Sequence, residues 1–227
     1  MSNMLELKNI SKTYFLNKNI SVLKSLNFKF SAGKIYSLSG PSGSGKSTLL
    51  NLLSLIDKPS GGIIKINGKN IDQNNIQEKD SFRRKNIGII YQEKNLLSDF
   101  TALENVYIAR LTINNNRLDA LKEANNIIKK VGLESRLNHY PSQLSGGESQ
   151  KIAISRALIN SPNIILADEP TGSLDQKNAK EIFKLLFSLK NKNRIVIFAT
   201  HNRYFANMSD CKLRLINGKI NTINGIL

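Results

Sequence analysis

Short runs of apolar residues recur along the chain and are typical of strands that are buried on both faces. Four such runs lie at residues 35–38, 87–91, 164–167 and 195–199. A strand that helices cover on both sides is apolar throughout, whereas a half-exposed strand alternates between apolar and polar positions. The four runs therefore predict a parallel sheet inside an α/β domain.

Near the N-terminus the apolar positions alternate with polar ones instead. Residues 27–30 alternate with period two, and the pairs Asn67-Gly68 and Asn217-Gly218 favour the tight turn of a β-hairpin. These features predict an antiparallel β-subdomain in the first part of the chain and a hairpin near its end.

Helical periodicity separates the predicted strands. Leu118, Leu121, Ile128 and Val131 are spaced by 3, 7 and 3 residues, which predicts one apolar face on a helix. Helices between core strands are what a parallel sheet requires, because its strands need crossover connections. Other apolar segments with helical spacing lie at residues 49–56, 152–159 and 182–189.

These elements predict one domain that is built from two interleaved parts. Residues 1–91 and 151–227 are expected to form an α/β core together with the β-subdomain. Residues 92–150 are expected to form a mostly helical subdomain that interrupts this core. A chain of 227 residues is long enough for such a domain to bury a sizeable core.

The chain is strongly basic, with 33 Lys and Arg residues against 17 Asp and Glu residues, a formal charge of +16. Such a charge is found on proteins that bind nucleic acids or anionic membranes. The basic residues are spread along the chain, however, and the densest run is only Arg83-Arg84-Lys85. We therefore predict no nucleic-acid partner and leave contact with anionic lipid open.

Cysteine usage and the length of the apolar runs restrict the cellular setting. Cys211 is the only cysteine, which excludes an internal disulfide and a cysteine-based metal site. The N-terminus lacks the apolar segment of a signal peptide, and no apolar stretch approaches the roughly 20 residues that span a bilayer. We expect a cytoplasmic chain that serves any membrane process through other subunits.

A glycine-rich segment after the first core strand is typical of phosphate-binding loops and fits the pattern G-x-x-x-x-G-K-[ST]. Its glycines allow successive backbone N–H groups to surround a phosphate, and the helix that follows adds its positive end. We expect Lys46 to reach the β- and γ-phosphates of ATP and Ser47 to hold Mg²⁺. The predicted loop comprises Gly40, Pro41, Ser42, Gly43, Ser44, Gly45, Lys46, Ser47 and Thr48.

Two acidic residues follow the core strand at residues 164–167. Asp168 and Glu169 are expected at the carboxyl end of a parallel strand, which is where ligands bind in open α/β sheets. Asp168 is then placed to hold Mg²⁺ through water, and Glu169 to polarise an attacking water molecule.

A second glycine-rich helix start, with the sequence LSGGESQ, lies at residues 144–150. Ser145, Gly146 and Gly147 would form a second anion site, which a single nucleotide does not need. With this segment the chain resembles the ATP-binding subunits of ABC transporters over essentially its whole length. The resemblance implies a RecA-like P-loop NTPase core, and it implies that this second loop completes the ATP site of the other protomer in a head-to-tail homodimer.

The resemblance also implies roles for four further residues. Tyr14 matches the aromatic residue that stacks on adenine, and Gln92 matches the glutamine that senses Mg²⁺ and the γ-phosphate. Asp175 lies in the loop that links the two active sites. His201 matches the switch histidine that contacts the γ-phosphate. The catalytic set implied by the family is Lys46, Gln92, Glu169 and His201.

Two positions depart from the family pattern. Ser149 stands where arginine is common, and Asn202 stands where aspartate is common. Neither position carries hydrolysis, so the chain is expected to be an active ATPase.

Within the family, residues 99–106, with the sequence DFTALENV, resemble the branch that powers release of lipoproteins from the bacterial inner membrane. This resemblance implies a peripheral ATPase at the cytoplasmic face of that membrane, with two integral membrane permease subunits as partners. A cell-division ATPase that acts as a scaffold and a macrolide-efflux ATPase are the alternatives. A nucleic-acid ATPase is less favoured, since the chain has no recognition helix and no basic patch with interleaved aromatic residues.

Overall fold

The computed structural model describes residues 4–15, 18–72 and 74–223. In this part of the chain ten strands and seven α-helices form two sheets with helices packed around them. The strands are β1 (Met4–Phe15), β2 (Asn19–Ser31), β3 (Lys34–Ser39), β4 (Gly61–Ile66), β5 (Lys69–Asn70), β6 (Ile87–Ile90), β7 (Ile164–Asp168), β8 (Ile195–Ala199), β9 (Cys211–Ile216) and β10 (Lys219–Ile223). The helices are α1 (Lys46–Leu53), α2 (Ile76–Asn86), α3 (Ala102–Leu111), α4 (Arg117–Lys130), α5 (Gly146–Leu158), α6 (Gln176–Ser188) and α7 (Arg203–Asn207).

The larger sheet has six strands in the order β10-β9-β3-β8-β7-β6. Five of these strands are parallel, and β10 pairs antiparallel with β9 at one edge. Each predicted apolar run lies in one of the parallel strands β3, β6, β7 and β8, so the parallel sheet is confirmed. Strand β6 ends at Ile90, one residue before the end of the predicted run. Because the strands run in the same direction, the segments after β3, β6, β7 and β8 meet at one edge of the sheet.

The smaller sheet is antiparallel, with the order β2-β1-β4-β5. Its last hairpin turns at Asn67 and Gly68, which have φ angles of 52° and 81°. The hairpin between β9 and β10 turns at Asn217 and Gly218, with φ angles of 50° and 76°. Positive φ at both central residues is the geometry that Asn-Gly pairs favour, which confirms both predicted hairpins.

Helices α3, α4 and α5 pack around a separate apolar cluster. The predicted apolar face of α4 is confirmed at Ile128, which is buried in this cluster, and at Leu121 and Val131, which pack against it. It is wrong at Leu118, which is 78% exposed. The buried face of α4 consists of Ala120, Ala124 and Ile128, which are spaced by four residues. Leu118 lies in the first turn of α4, whereas the small alanines let the helix axes approach closely. The cluster comprises Ala102, Val106, Tyr107, Ala120, Ala124, Ile128, Leu133, Ile152 and Ile159.

Helix α5 belongs to two cores at once. Ile152 and Ile159 pack in the helical cluster, whereas Ile154 packs with the central strands and with α6. The division of the chain at residue 150 therefore stays a prediction. Among the described helices none is both long enough and apolar enough to cross a membrane.

Candidate active site

The phosphate-binding loop leaves β3 at the sheet edge and begins α1. Gly40 and Gly45 have φ angles of 153° and 99°, a region that other residues rarely adopt. A Cβ atom at Gly40 would overlap the carbonyl oxygen of Leu215, and one at Gly45 would lie 2.6 Å from Cγ1 of Val22. Backbone conformation and close packing thus both require glycine at these two positions.

Two side chains of this loop, those of Lys46 and Ser44, carry buried polar groups. Lys46 is only 7% exposed, and its Nζ donates to the carbonyl oxygens of Gly40 and Pro41 at 3.0 and 3.1 Å. The described residues place no carboxylate within ion-pair distance of this ammonium group. The hydroxyl oxygen of Ser44 is buried and has no hydrogen-bond partner. Buried polar groups in proteins are normally satisfied, so these two residues point to an anion that binds in the loop.

The residues predicted to bind the metal fit Mg²⁺. Ser47 lies in the first turn of α1 and Asp168 ends β7, and these two elements contact each other. In the part of the chain that the structure describes, no hydrogen bond engages the Ser47 hydroxyl or the Asp168 carboxylate, and no group of three or more His, Cys, Asp or Glu could hold a metal alone. Mg²⁺ is usually bound through one or two carboxylates, waters and substrate phosphates, which suits this sparse set of ligands.

Glu169 and His201 face each other across the ends of β7 and β8. The backbone N–H of His201 donates to Oε2 of Glu169 at 3.3 Å, and Nε2 of His201 lies 3.3 Å from Oε1, although it is not aligned to form a hydrogen bond. The Glu169 side chain is 16% exposed. Burial raises its pKa, and the neighbouring His201 opposes that shift. A carboxyl group with a raised pKa is suited to accept a proton.

The backbone of Glu169 is itself unusual. Its φ angle is 44°, in the left-handed region, while its N–H donates to Ala199 O on the neighbouring strand at 3.1 Å. Non-glycine residues in this region cost about 1–3 kcal/mol, and such residues cluster at functional sites. The turn directs the carboxyl group away from the strand and toward His201.

Gln92 follows β6 and reaches the same edge of the sheet. A Cβ atom at Gly172 would lie 2.9 Å from Nε2 of Gln92, so the amide packs directly on that glycine. Gly172 in turn donates its N–H to the carbonyl oxygen of Glu169 at 3.0 Å. The structure thus brings Gln92 beside the loop that carries Glu169. Sequence reasoning missed Gly172, although a glycine three residues after the acidic pair is a signal for close packing.

The second glycine-rich segment begins α5. Ser145 is the N-cap: its Oγ accepts from the N–H of Glu148 at 3.2 Å, and the Glu148 carboxylate accepts from the N–H of Ser145 at 2.8 Å. Nε of Arg136 donates to the same carboxylate at 2.8 Å. Arg136 and these helix-start contacts lower the pKa of Glu148 to about 2. The Ser145 hydroxyl is exposed and keeps its own proton free for a ligand.

The glycines of this segment pack against α6 and the loop that precedes it. A Cβ atom at Gly147 would overlap Oδ1 of Asn178, and one at Gly146 would lie 3.3 Å from Cδ2 of Leu174. Asp175 caps α6 through the N–H groups of Lys177 and Asn178, at 2.9 and 3.0 Å. The neighbours of this segment therefore come from α6 and the loop before it, whereas those of the phosphate-binding loop come from β2 and β9. Asn178 is a contact that no sequence pattern indicated.

Residues 23–172 match the ABC transporter family, and this stretch is more than half of the chain. The chain belongs to the ABC transporter family.

Curated members of the ABC transporter family resemble the chain over nearly its whole length. It is 41% identical to the lipoprotein-releasing system ATP-binding protein LolD of Cytophaga hutchinsonii, over 97% of this chain and 100% of that protein. It is 44% identical to LolD of Rickettsia bellii, over 97% and 99% of the two chains.

Solved structures of ABC cassettes share the fold. The dimeric structure of a post-hydrolysis state of the ATP-binding cassette MJ0796, bound to ADP and Pi, matches with a TM-score of 0.88 and 36% identity, over 98% of this chain and 100% of that one. A second dimeric structure of the same bacterial cassette matches with a TM-score of 0.87 and 37% identity, over the same shares of the two chains. These findings confirm the predicted ABC ATPase fold, and the chain is an ATP-binding ABC-type ATPase.

The structure gives the candidate adenine-stacking residue of this ABC ATPase a fixed setting. The Tyr14 hydroxyl donates to Oδ2 of Asp57 at 3.0 Å, and Nζ of Lys12 lies 4.8 Å from the ring centroid. Tyr14 pairs with Ile20, two residues before Val22 on the strand that packs against the phosphate-binding loop. Its adenine contact stays a prediction. Asp57 is distant in sequence and could not have been assigned to Tyr14 from a pattern.

Proposed function

We propose that this ATPase powers release of lipoproteins from the bacterial inner membrane through separate membrane subunits. The observation that carries the ATPase part is the buried Lys46 ammonium, which lacks a carboxylate partner in the described chain and lies beside the orphaned hydroxyl of Ser44. Identity of about 40% to LolD proteins over nearly the whole chain supports the choice of branch.

ATP binding would satisfy the polar groups of the loop. The β- and γ-phosphates would take Lys46 from the carbonyl oxygens of Gly40 and Pro41, and an oxygen would accept from Ser44. Mg²⁺ would be held by Ser47, Gln92 and, through water, Asp168, and it would neutralise developing charge on the phosphates. Charged hydrogen bonds of this kind contribute about 1.5–3 kcal/mol each.

Hydrolysis would depend on Glu169 and His201. Glu169 accepts a proton from the attacking water, and its raised pKa makes it a stronger base than an exposed carboxylate. His201 holds the γ-phosphate and fixes the position of the Glu169 carboxyl group. Catalysis of this type is mainly positioning and charge stabilisation.

A head-to-tail dimer would complete each site. The glycines after Ser145 pack against Leu174 and Asn178, whereas those of the phosphate-binding loop pack against residues of β2 and β9. In a dimer, the exposed Ser145 of one protomer meets the γ-phosphate bound by the other, and Asp175 lies in the loop between the two sites. The dimeric structures of a related cassette support this arrangement.

The dimer is tested with the Glu169→Gln variant, which removes the base and keeps the shape. We expect hydrolysis to fall at least ~100-fold and a dimer to accumulate with ATP and Mg²⁺, as measured by light scattering. Adding Ser145→Asp should abolish the dimer, because Asp still caps α5 but repels the γ-phosphate. Ser142→Asp, also exposed and three residues earlier, is the control. Rapid turnover by Glu169→Gln would contradict the role of Glu169, and a dimer in the Ser145→Asp double variant would contradict the proposed interface.

Contact with membrane subunits is expected after Gln92. Leu97 and Phe100 are 46% and 37% exposed in this segment, and we propose that residues 92–150 act as a helical subdomain that receives the permease subunits. Closure of the dimer would then move Gln92 and pull on the membrane partners, which hold this chain peripherally at the cytoplasmic face of the inner membrane.

The lipoprotein assignment is tested by affinity capture from detergent-solubilised membranes, with bound proteins identified by mass spectrometry. We expect a pair of membrane subunits and trapped lipoproteins with the Glu169→Gln variant and ATP. The Leu97→Asp variant should lose these partners. The Leu118→Asp variant, which makes the same change at a more exposed leucine on α4, should keep them. Recovery of a division-site membrane protein with cell-wall factors would overturn the lipoprotein assignment and leave the ATPase chemistry intact.

A further inference from the structure

The segment around Gln92 is tied to helix α5 on both sides of the glutamine. Before Gln92, the carbonyl oxygen of Tyr91 accepts from Nε2 of Gln150 at 3.2 Å. Gln150 is fully buried in the second turn of α5. A buried amide whose N–H group donates to a loop carbonyl oxygen holds that part of the backbone in place.

After Gln92, the backbone is held by an arginine near the end of α5. Nη2 of Arg156 donates to the carbonyl oxygen of Lys94 at 2.8 Å, and Nη1 donates to that of Asn95 at 2.7 Å. Asn95 has a φ angle of 48°, so the loop turns through a left-handed residue at this point. The planar guanidinium group matches two successive carbonyls in a way that lysine cannot.

Burial of the Arg156 guanidinium costs free energy, which argues that its contacts do more than hold the structure together. Among the described residues no carboxylate pairs with it, and burial lowers its pKa. Burying a cation away from water is unfavourable unless its hydrogen bonds are well satisfied. Within the described residues, the guanidinium donates its hydrogen bonds to the loop after Gln92 and none to its own helix.

We propose that Arg156 is the positioning residue for Gln92, and that it joins the Gln92 loop to the helix whose first turn carries Ser145. This inference rests on the proposed role of Gln92 in phosphate sensing. It extends that role, because a shift of α5 on contact with the second protomer's ATP is passed to the loop that faces the chain's own ATP and the membrane partners. The positioning is direct, since Arg156 holds backbone atoms two and three residues from Gln92.

The chain offers a matched control in Arg194. This arginine is also half-buried with its pKa lowered by burial, and it donates to two carbonyl oxygens, those of Pro162 and Leu189, at 3.0 and 3.1 Å. Its partners belong to the segments before β7 and after α6, away from Gln92. A general effect of weakening a buried arginine should therefore be equal in the two positions.

The kinetic test compares Arg156→Lys with Arg194→Lys in the full chain. We expect Arg156→Lys to lower kcat about fivefold with KM for ATP within about twofold, and Arg194→Lys to change neither by more than about twofold. In a Gln92→Ala background, Arg156→Lys should lower kcat no further, because the residue that it positions is absent. Equal losses in both backgrounds, or equal losses for the two arginines, would overturn the proposal.

Amide hydrogen exchange tests the same inference without relying on the role of Gln92. Exchange in the peptide 91–97 should become about tenfold faster in Arg156→Lys and remain unchanged in Arg194→Lys. Unchanged exchange in Arg156→Lys would overturn the positioning role. If Gln92→Ala hydrolyses ATP normally while exchange responds as expected, the phosphate-sensing role of Gln92 fails and the mechanical tie of the loop to α5 stands.

Discussion

The two glycine-rich helix starts of this ATPase look alike in sequence and are held in different ways. In the phosphate-binding loop, Gly40 and Gly45 have positive φ angles and lie against the backbone of β9 and the side chain of Val22. In the segment that begins α5, neither Gly146 nor Gly147 has a positive φ angle, and they lie against the side chains of Leu174, just before α6, and Asn178, in α6. The same residue type therefore serves two physical purposes.

The two segments therefore need glycine for different reasons, the first for its backbone conformation and the second for the space that a Cβ atom would occupy. The first loop needs glycine because no other residue adopts its backbone shape without strain, so its N–H groups can surround a phosphate. The second needs glycine because Asn178 leaves no room for a Cβ atom at Gly147 and Leu174 leaves little at Gly146. In the proposed function, the first loop binds ATP within one chain, whereas the second acts on the ATP of the other protomer.

The largest effect that we expect comes from Lys46, which serves only the first loop. Lys46→Ala should weaken ATP binding by about 100-fold, because it removes roughly 3 kcal/mol of charged hydrogen bonds to the phosphates. Isothermal titration calorimetry measures the change. Lys184→Ala, at an exposed position on α6, should bind ATP normally. Unchanged ATP affinity in Lys46→Ala would show that the first loop is not the phosphate site.

A pair of alanine substitutions compares the two kinds of glycine directly. Gly45→Ala should weaken ATP binding and destabilise the fold by about 1–3 kcal/mol, because φ stays at 99°. Gly147→Ala should leave ATP binding intact and lower hydrolysis by about tenfold, because the overlap with Asn178 displaces the start of α5.

Second-site changes then sharpen the result. Asn178→Ala should restore much of the hydrolysis lost in Gly147→Ala, since it removes the overlapping amide. Val22→Ala should not restore Gly45→Ala, since the backbone strain remains. ATP binding and hydrolysis are measured on the two glycine variants and on the two double variants. If the second substitution restored activity in both glycine variants, or in neither, the proposed difference between a need for backbone conformation and a need for space would be contradicted.

A smaller effect is expected from the buried carboxyl group of Glu169. Its pKa in the folded chain lies above the ordinary value, so the folded state binds this proton more tightly than the unfolded state does. Its ionisation therefore costs stability above that pKa, and the cost disappears as the pH falls through it. Glu169→Gln should melt at a higher temperature than the unaltered chain at pH ~7.5, and this difference in melting temperature should be smaller at pH ~5. A difference in melting temperature that is absent at pH ~7.5, or that grows on acidification, would contradict this prediction.

The smallest effect concerns Glu148 at the second helix start. Its pKa is about 2, below the ordinary value of 4.5, so its ionised form stabilises the folded state. That contribution is complete above about pH 4.5 and is lost as the pH falls toward about 2. Glu148→Gln keeps the capping box but loses the ion pair with Arg136. Urea unfolding should show a small deficit at neutral pH that shrinks on acidification, and a deficit independent of pH would argue against the ion pair.

Much of the site could be predicted because its parts are local in sequence. The phosphate-binding loop, Asp168 and Glu169 each occupy a short segment next to an apolar run, and the Asn-Gly pairs determine their own turns. The family resemblance added Tyr14, Gln92 and His201, whose residue types alone say little. The roles of these three residues stay predictions.

What could not be predicted depends on contacts between distant segments. Leu118 was expected on a buried face, but it is exposed in the first turn of α4, whose buried residues are Ala120, Ala124 and Ile128. Asp57 meets Tyr14 across 43 positions, and Arg156 meets Lys94 across 62. No local pattern records such pairs.

The sequence by itself determined the four apolar strands of the parallel sheet, the two hairpin turns and the glycine-rich loop that follows β3, because each follows from backbone preferences or hydrophobic periodicity over a few residues. Only the tertiary structure decided how Glu169 meets His201, why Gly147 has no room for a side chain and how Arg156 holds the Gln92 loop. These features depend on distances between segments that the parallel sheet brings to one edge, and a distance in space is not a property of any one segment.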